Sequence, residues 1–251
     1  MTGADGFAAG LRGLLDRAAE RGRSIEFWWR DDDAVAPSPA LDDLLAAAAR
    51  HRVPLALAVI PEPAQAALAD RIAAEPPHVV VLQHGFAHRN HAPAGEKAAE
   101  LGAHRPAETV LEELDAGRRK LDRLFGERFL PILTPPWNRV CDEVATRRAE
   151  AGLSGLTTFA RMHASDPGCV NTHVDIVDWK HGRAFAGQAK MLKVLQDEID
   201  RRLAGNPAPI GLLTHHLVHD EGCRDFLEVF LSVAAGHPAV RWPPVGTLFG
   251  T

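Results

Sequence analysis

The chain contains no tyrosine, only three cysteines and no surplus of positive charge. Cys141, Cys169 and Cys223 form an odd, widely spaced set without a C-x-x-C pair. That excludes a disulfide framework and a cysteine-ligated zinc site, and it points to a reducing compartment. Lys and Arg total 28 against 33 Asp and Glu, for a formal charge of −5. The global electrostatic footprint of a nucleic-acid binder is therefore missing. No apolar run reaches the roughly 18 residues of a membrane span. Nor does a G-x-G-x-x-G follow the first candidate strand, so the phosphate loop of a doubly wound dinucleotide fold is absent.

What is present is an ordinary globular balance, 46% hydrophobic and 24% charged, which excludes a disordered chain. Residues 1–22 read as an amphipathic helix, with Phe7, Leu11, Leu14, Leu15 and Ala18 on one face. Charged residues interrupt the apolar core that a signal peptide would need, so a soluble, cytoplasmic protein is expected. Beyond it, short apolar runs alternate with helical patterns. Strands are expected at 25–29, 55–60, 79–82, 129–133, 156–159, 173–177, 210–214 and 240–242. Helices are expected at 39–52, 64–74, 107–125, 140–151, 184–203 and 223–235. Ser38 and Pro39 suit a helix start, and Gly152 and Gly205 suit helix stops. Strands alternating with helices imply parallel strands with crossover helices. At 251 residues, this predicts a single (β/α) barrel domain of seven to eight parallel strands over 1–251.

Barrel enzymes place their chemistry at the C-terminal ends of strands. The unusual residues fall at those ends. The first strand runs into Arg30, Asp31, Asp32 and Asp33, and the third into His84 and His88. The fourth runs into Thr134, Pro135, Pro136 and Trp137. The sixth carries Asp175, Asp178 and Trp179, and Thr214, His215 and His216 close a late one. Taken singly, each has a plain reading: a solvated acidic loop, a packing aromatic, a histidine in the core. Two imidazoles four residues apart share a face if they lie on a helical turn. With a carboxylate from elsewhere they make a three-ligand set open to water and substrate, as in catalytic zinc sites. His91 is a third, more exposed candidate.

In this order, the motifs resemble the polysaccharide deacetylase family, the NodB-like carbohydrate esterases. The resemblance runs through Asp32-Asp33, His84 to His88, Thr134 to Trp137, Asp175 to Trp179 and Leu213-Thr214-His215, and spans roughly residues 25–220. It implies a deformed (β/α) barrel holding a divalent metal, zinc first, with cobalt, nickel or manganese as alternatives. Asp33, His84 and His88 would hold that metal, and Asp32 would be the base. His215 would be the acid, with Asp178 supporting it. Trp137, Trp179, Pro136, Asp175 and His216 would line the substrate side, the two tryptophans walling the acyl pocket. Asp31-Asp32 is the alternative register for the acidic pair, and His216 the alternative acid. Three positions depart from the family pattern. Thr134 stands where an arginine that pairs with the base is usual, Ala34 where glycine is usual, and a second histidine follows His215. Arg30 or Arg139 is a candidate to replace that arginine.

The activity implied is removal of acetyl from an N-acetylated sugar or glycan precursor, with a nucleotide- or lipid-linked sugar as the expected substrate. Hydrolysis of another non-peptide C–N bond, as in a ureide ring, is the nearest alternative. A non-catalytic glycan-binding relative is the third. No nucleic-acid partner is expected, and oligomeric state is left open.

Overall fold

The computed structural model describes residues 3–250. In chain order the elements are α1 (Gly3–Glu20), β1 (Ile25–Ala34), α2 (Pro39–His51), β2 (Leu55–Val59), α3 (Ala66–Ala73) and β3 (Val79–His84). Then come α4 (Ala107–Phe125), β4 (Phe129–Thr134), α5 (Asp142–Arg147), β5 (Gly155–Leu156), β6 (Val174–Asp175), β7 (Val177–Asp178) and β8 (Ala184–Phe185). The chain closes with α6 (Gln188–Leu203), β9 (Ile210–Thr214), α7 (Glu221–Gly236), β10 (Val240–Arg241) and α8 (Val245–Phe249). Strands neighbour one another in the order β5-β4-β3-β2 and in the order β1-β9-β6, with β10 on β1.

The contacts divide the chain into two compact units, each assembled from three separate stretches. The first comprises residues 1–31, 39–55 and 172–244. In it β9 runs parallel to β1, aligning Phe27 with Ile210 and Asp31 with Thr214, and β6 continues on β9. The apolar stripe of α1 is buried here as expected, and its Phe7 ring lies 5.0 Å from Phe226 of α7. Phe27 meets Phe230 edge-on at 5.4 Å. Each such buried aromatic contributes roughly 1.5–3 kcal/mol through the area it removes from water. Residues 1 and 2 of the expected N-terminal helix lie outside the described residues.

The second unit comprises residues 32–38, 56–171 and 245–251. Its β3 and β4 are parallel, with His84 beside Thr134, and β4 aligns Ile132 with Gly155 of β5. All five residues of β2 are buried, as a continuous apolar run flanked on both faces requires. Helix α4 presents Val110, Leu111, Leu114 and Leu121 as its buried stripe.

Several boundaries differ from the sequence pattern. β1 does not end at residue 29: it carries the acidic triplet, with Asp31 0% and Asp32 2% exposed and Asp33 half-buried at its end. The triplet is therefore part of a strand and not a solvated loop, and Asp31 and Asp32 are buried. The expected helix 184–203 begins only at Gln188. Ala184–Phe185 instead pairs antiparallel with Val177–Asp178, and Gly187, at φ 92°, turns the chain into the helix. The helix expected at 140–151 is one short α-helix followed by a 3-10 turn, closed by Gly152 at φ 72°. His84 and His88 are not on a helical turn. They flank a bend at the end of β3, where Gly85 (φ 57°) and His88 (φ 56°) both take left-handed backbone.

Candidate metal centre

Three donors meet in the second unit. Asp33 Oδ1 lies 3.1 Å from His84 Nε2 and 3.3 Å from His88 Nε2. Asp33, His84 and His88 each offer one ligand atom, all within 4.8 Å of one another. Among the described residues this is the one group of three such donors, and His91 is not in it. Ligands bound at about 2.0–2.2 Å in a tetrahedron sit about 3.3–3.5 Å apart, so the spacing around Asp33 fits a zinc-sized cation. One carboxylate and two imidazoles also match the donor types of an open catalytic site.

The local backbone explains how Asp33 gets there. Successive residues of a strand point to opposite faces. Asp33 leaves that alternation at φ 74°, in left-handed backbone that Asp tolerates better than bulky residues. Its neighbour Asp31 is engaged elsewhere: its carboxylate accepts from Thr214 Oγ1 at 2.6 Å and from the His216 amide at 2.9 Å. It also meets His216 Nδ1 at 2.5 Å. The geometry thus gathers Asp33, not Asp31, with the two histidines. Asp32 lies between them, buried, and its charge acts on His84.

His84 is fixed from both sides, since its Nδ1 lies 3.0 Å from the Thr134 carbonyl oxygen. Burial lowers its pKa, but the charges of Asp32 and Asp33 and the hydrogen bond to Asp33 outweigh that and raise it. His88 goes the other way: burial and the charge of His84 push its pKa down. Trp137 covers His88, with ring centroids 4.3 Å apart. It sits in a turn at φ 54°, a strained conformation for so bulky a residue, and Asn138 follows at φ 56°. The adjoining Pro136 is buried against Gly85: a Cβ there would lie 2.6 Å from the proline ring.

Glu100, which no sequence motif marked, organises the bend. Its buried carboxylate accepts from the amides of Phe86 at 3.0 Å, Ala87 at 2.8 Å and Arg89 at 3.2 Å. It also dictates glycine at 85, because a Cβ at that position would come within 2.0 Å of Glu100 Oε2. The loop carries two acidic residues, Glu96 and Glu100, with no pattern around them, so nothing in the sequence singled out Glu100.

His215, His216, Trp179, Asp175 and Asp178 belong to the first unit. The ring of His215 meets Trp179 edge-on at 4.6 Å. Trp179 is 41% exposed, and its indole N–H donates to Asp175 at 2.8 Å. Asp175 also accepts from the Val177 amide at 3.0 Å. The Asp178 carboxylate interacts with His181 Nδ1 at 3.0 Å and accepts from the Lys180 amide at 3.1 Å. The His181 hydrogen bond is the first cause of its depressed pKa. His216 is buried and turned onto Asp31. Of the two arginines considered for the position of Thr134, Arg139 donates to the Ala98 carbonyl at 2.8 Å, while Arg30 is fully buried on β1.

No protein-family model and no curated protein sequence matches the chain. Solved structures do match it in fold. One, from Mycobacterium smegmatis and assigned as a polysaccharide deacetylase, is 15% identical with a TM-score of 0.63, over 91% of this chain and 90% of the other. The Bc1960 peptidoglycan N-acetylglucosamine deacetylase is 20% identical with a TM-score of 0.56, over 90% and 88%. A family 4 acetyl xylan esterase from Clostridium thermocellum, solved with a cobalt ion, is 11% identical with a TM-score of 0.56, over 90% of each chain. The fold is therefore the deformed (β/α) barrel of the polysaccharide deacetylases. No helix among the described residues is long and apolar enough to cross a membrane.

Proposed function

We propose that the protein is a metal-dependent deacetylase acting on an N-acetylated sugar or glycan precursor. The observation that carries this reading is the convergence of Asp33, His84 and His88 at strand ends. A divalent cation, zinc in our reading, would supply Lewis-acid activation of water and of the acyl carbonyl. Asp33, His84 and His88 would hold it, with the Thr134 carbonyl orienting His84. Asp32 would take the proton from the attacking water. A backbone amide beside Pro136 would steady the developing oxyanion. His215 would return a proton to the departing amine, which leaves poorly without one. Asp178 would support that histidine. Trp137 and Trp179 would flank the acyl group, and Asp175 would hold the Trp179 indole in place. We read the chain as one catalytic domain because neither compact unit is a continuous stretch.

The experiment is acetate release from N-acetylglucosamine oligomers and nucleotide-linked N-acetyl sugars, with zinc or cobalt added. Release that depends on metal supports the proposal. Release of ammonia or urea from ring amides, without acetate, would replace it with the ureide reading. Tight metal and sugar binding without turnover would leave a glycan binder, the reading that Thr134 in place of an arginine favours.

A further inference from the structure

Asp31 and His216 take no direct part in the chemistry just described, yet both side chains are buried, with 0% and 1% exposure. Asp31 pairs in register with Thr214 along β1 and β9. Its carboxylate is then spanned by the residues on either side of His215. One oxygen accepts from the Thr214 hydroxyl at 2.6 Å and the His216 amide at 2.9 Å. The other meets His216 Nδ1 at 2.5 Å. The Thr214 hydroxyl is itself oriented, because its oxygen accepts from the Trp29 indole at 2.8 Å.

Residues 214 and 216 are thus drawn to one side. His215 lies between them, just past β9, at φ −142° and ψ 88°, and its ring meets Trp179 and not Asp31. The turn is closed behind it by the Val218 amide donating to the His215 carbonyl at 3.0 Å.

We propose that Asp31 and His216 are positioning residues: a buried clamp that sets the direction of the His215 ring. This rests on the reading of His215 as the acid. It assigns the extra aspartate and the extra histidine of the chain to one device. The active element is the hydrogen bond from the His216 ring, not its bulk. An asparagine at 216 can place an amide nitrogen close to the position of Nδ1, whereas leucine fills the space without a donor.

The test compares wild type with Asp31→Asn, His216→Leu and His216→Asn. Peptide-resolved reaction of His215 with diethylpyrocarbonate at fixed pH reports how firmly the ring is held, independently of any substrate. We expect His215 to react severalfold faster in Asp31→Asn and His216→Leu, and at close to the wild-type rate in His216→Asn. In the deacetylase assay, kcat should fall about tenfold to a hundredfold in the first two, as for a displaced reacting group, with KM little changed. Bound metal should stay at the wild-type level, and His216→Asn should recover most of kcat. Unchanged His215 reactivity in both Asp31→Asn and His216→Leu would overturn the clamp. So would His216→Asn behaving like His216→Leu. If wild type releases no acetate, the deacetylase reading fails by itself, and the reactivity of His215 still decides the clamp.

Discussion

His84 Nδ1 lies 3.0 Å from the carbonyl oxygen of Thr134, at matched positions on two neighbouring parallel strands. Donation from Nδ1 to that oxygen fixes the tautomer and aims Nε2 at Asp33. The position where a side chain differs from the family pattern thus still contributes, through its backbone.

Removal of that imidazole is the most direct test of the metal centre. His84→Ala is expected to bind no zinc above background and to lose deacetylase activity with it. Metal content by plasma emission and acetate release on the same samples check both. Full metal occupancy in the variant would mean that the ion sits elsewhere.

Asp32→Asn separates chemistry from coordination. The variant should retain its metal while kcat drops by about 10²–10⁴, the range expected for a general base. Wild-type turnover in this variant would remove Asp32 from the mechanism.

Glu100→Ala deprives three loop amides of their acceptor. These amides are part-buried, so each lost acceptor costs less than the about 1–3 kcal/mol of a fully buried donor, and the thermal midpoint should fall. Metal affinity should weaken about 10- to 100-fold, as for other supporting groups behind a ligand. Chelator competition measures it, and an unchanged affinity would show that the bend holds His88 without Glu100.

Acidity should act on the centre through His84. Its pKa is raised above 6.5, with burial opposed and outweighed by Asp32 and Asp33. In the metal-free protein the stabilisation from this charged pairing is fully present below 6.5 and is lost as pH rises through the raised value. Metal binding needs the deprotonated ring, so affinity should strengthen over that same rise. His88, pushed the other way by burial and by His84, is neutral across it. Zinc titrations at stepped pH, with thermal unfolding of the metal-free protein, test both trends. An affinity independent of pH would contradict this account of His84.

The alternation of strands and helices was legible because buried parallel strands are short apolar runs and their crossover helices carry a 3.6-residue stripe. Helix α4 falls at 107–125 as the pattern requires. The pattern failed where backbone conformation outweighed composition. Ala184 and Phe185 look like the start of a helix, but Gly187 turns the chain and the Asp220 carboxylate takes the Phe185 amide at 2.9 Å. The two histidines were legible as a pair, but not the bend joining them. That bend depends on a glycine at positive φ and on a carboxylate twelve residues beyond His88.

By itself, the amino-acid sequence determined the order of elements and the supply of carboxylates and imidazoles at successive strand ends. It could not assign a partner to each of Asp31, Asp32 and Asp33, since chain neighbours in a strand face opposite ways and their partners lie far off in the chain. The tertiary structure decided that. The register of β1 on β9 commits Asp31 to Thr214 and His216, and the left-handed backbone at Asp33 turns the third carboxylate toward His84 and His88.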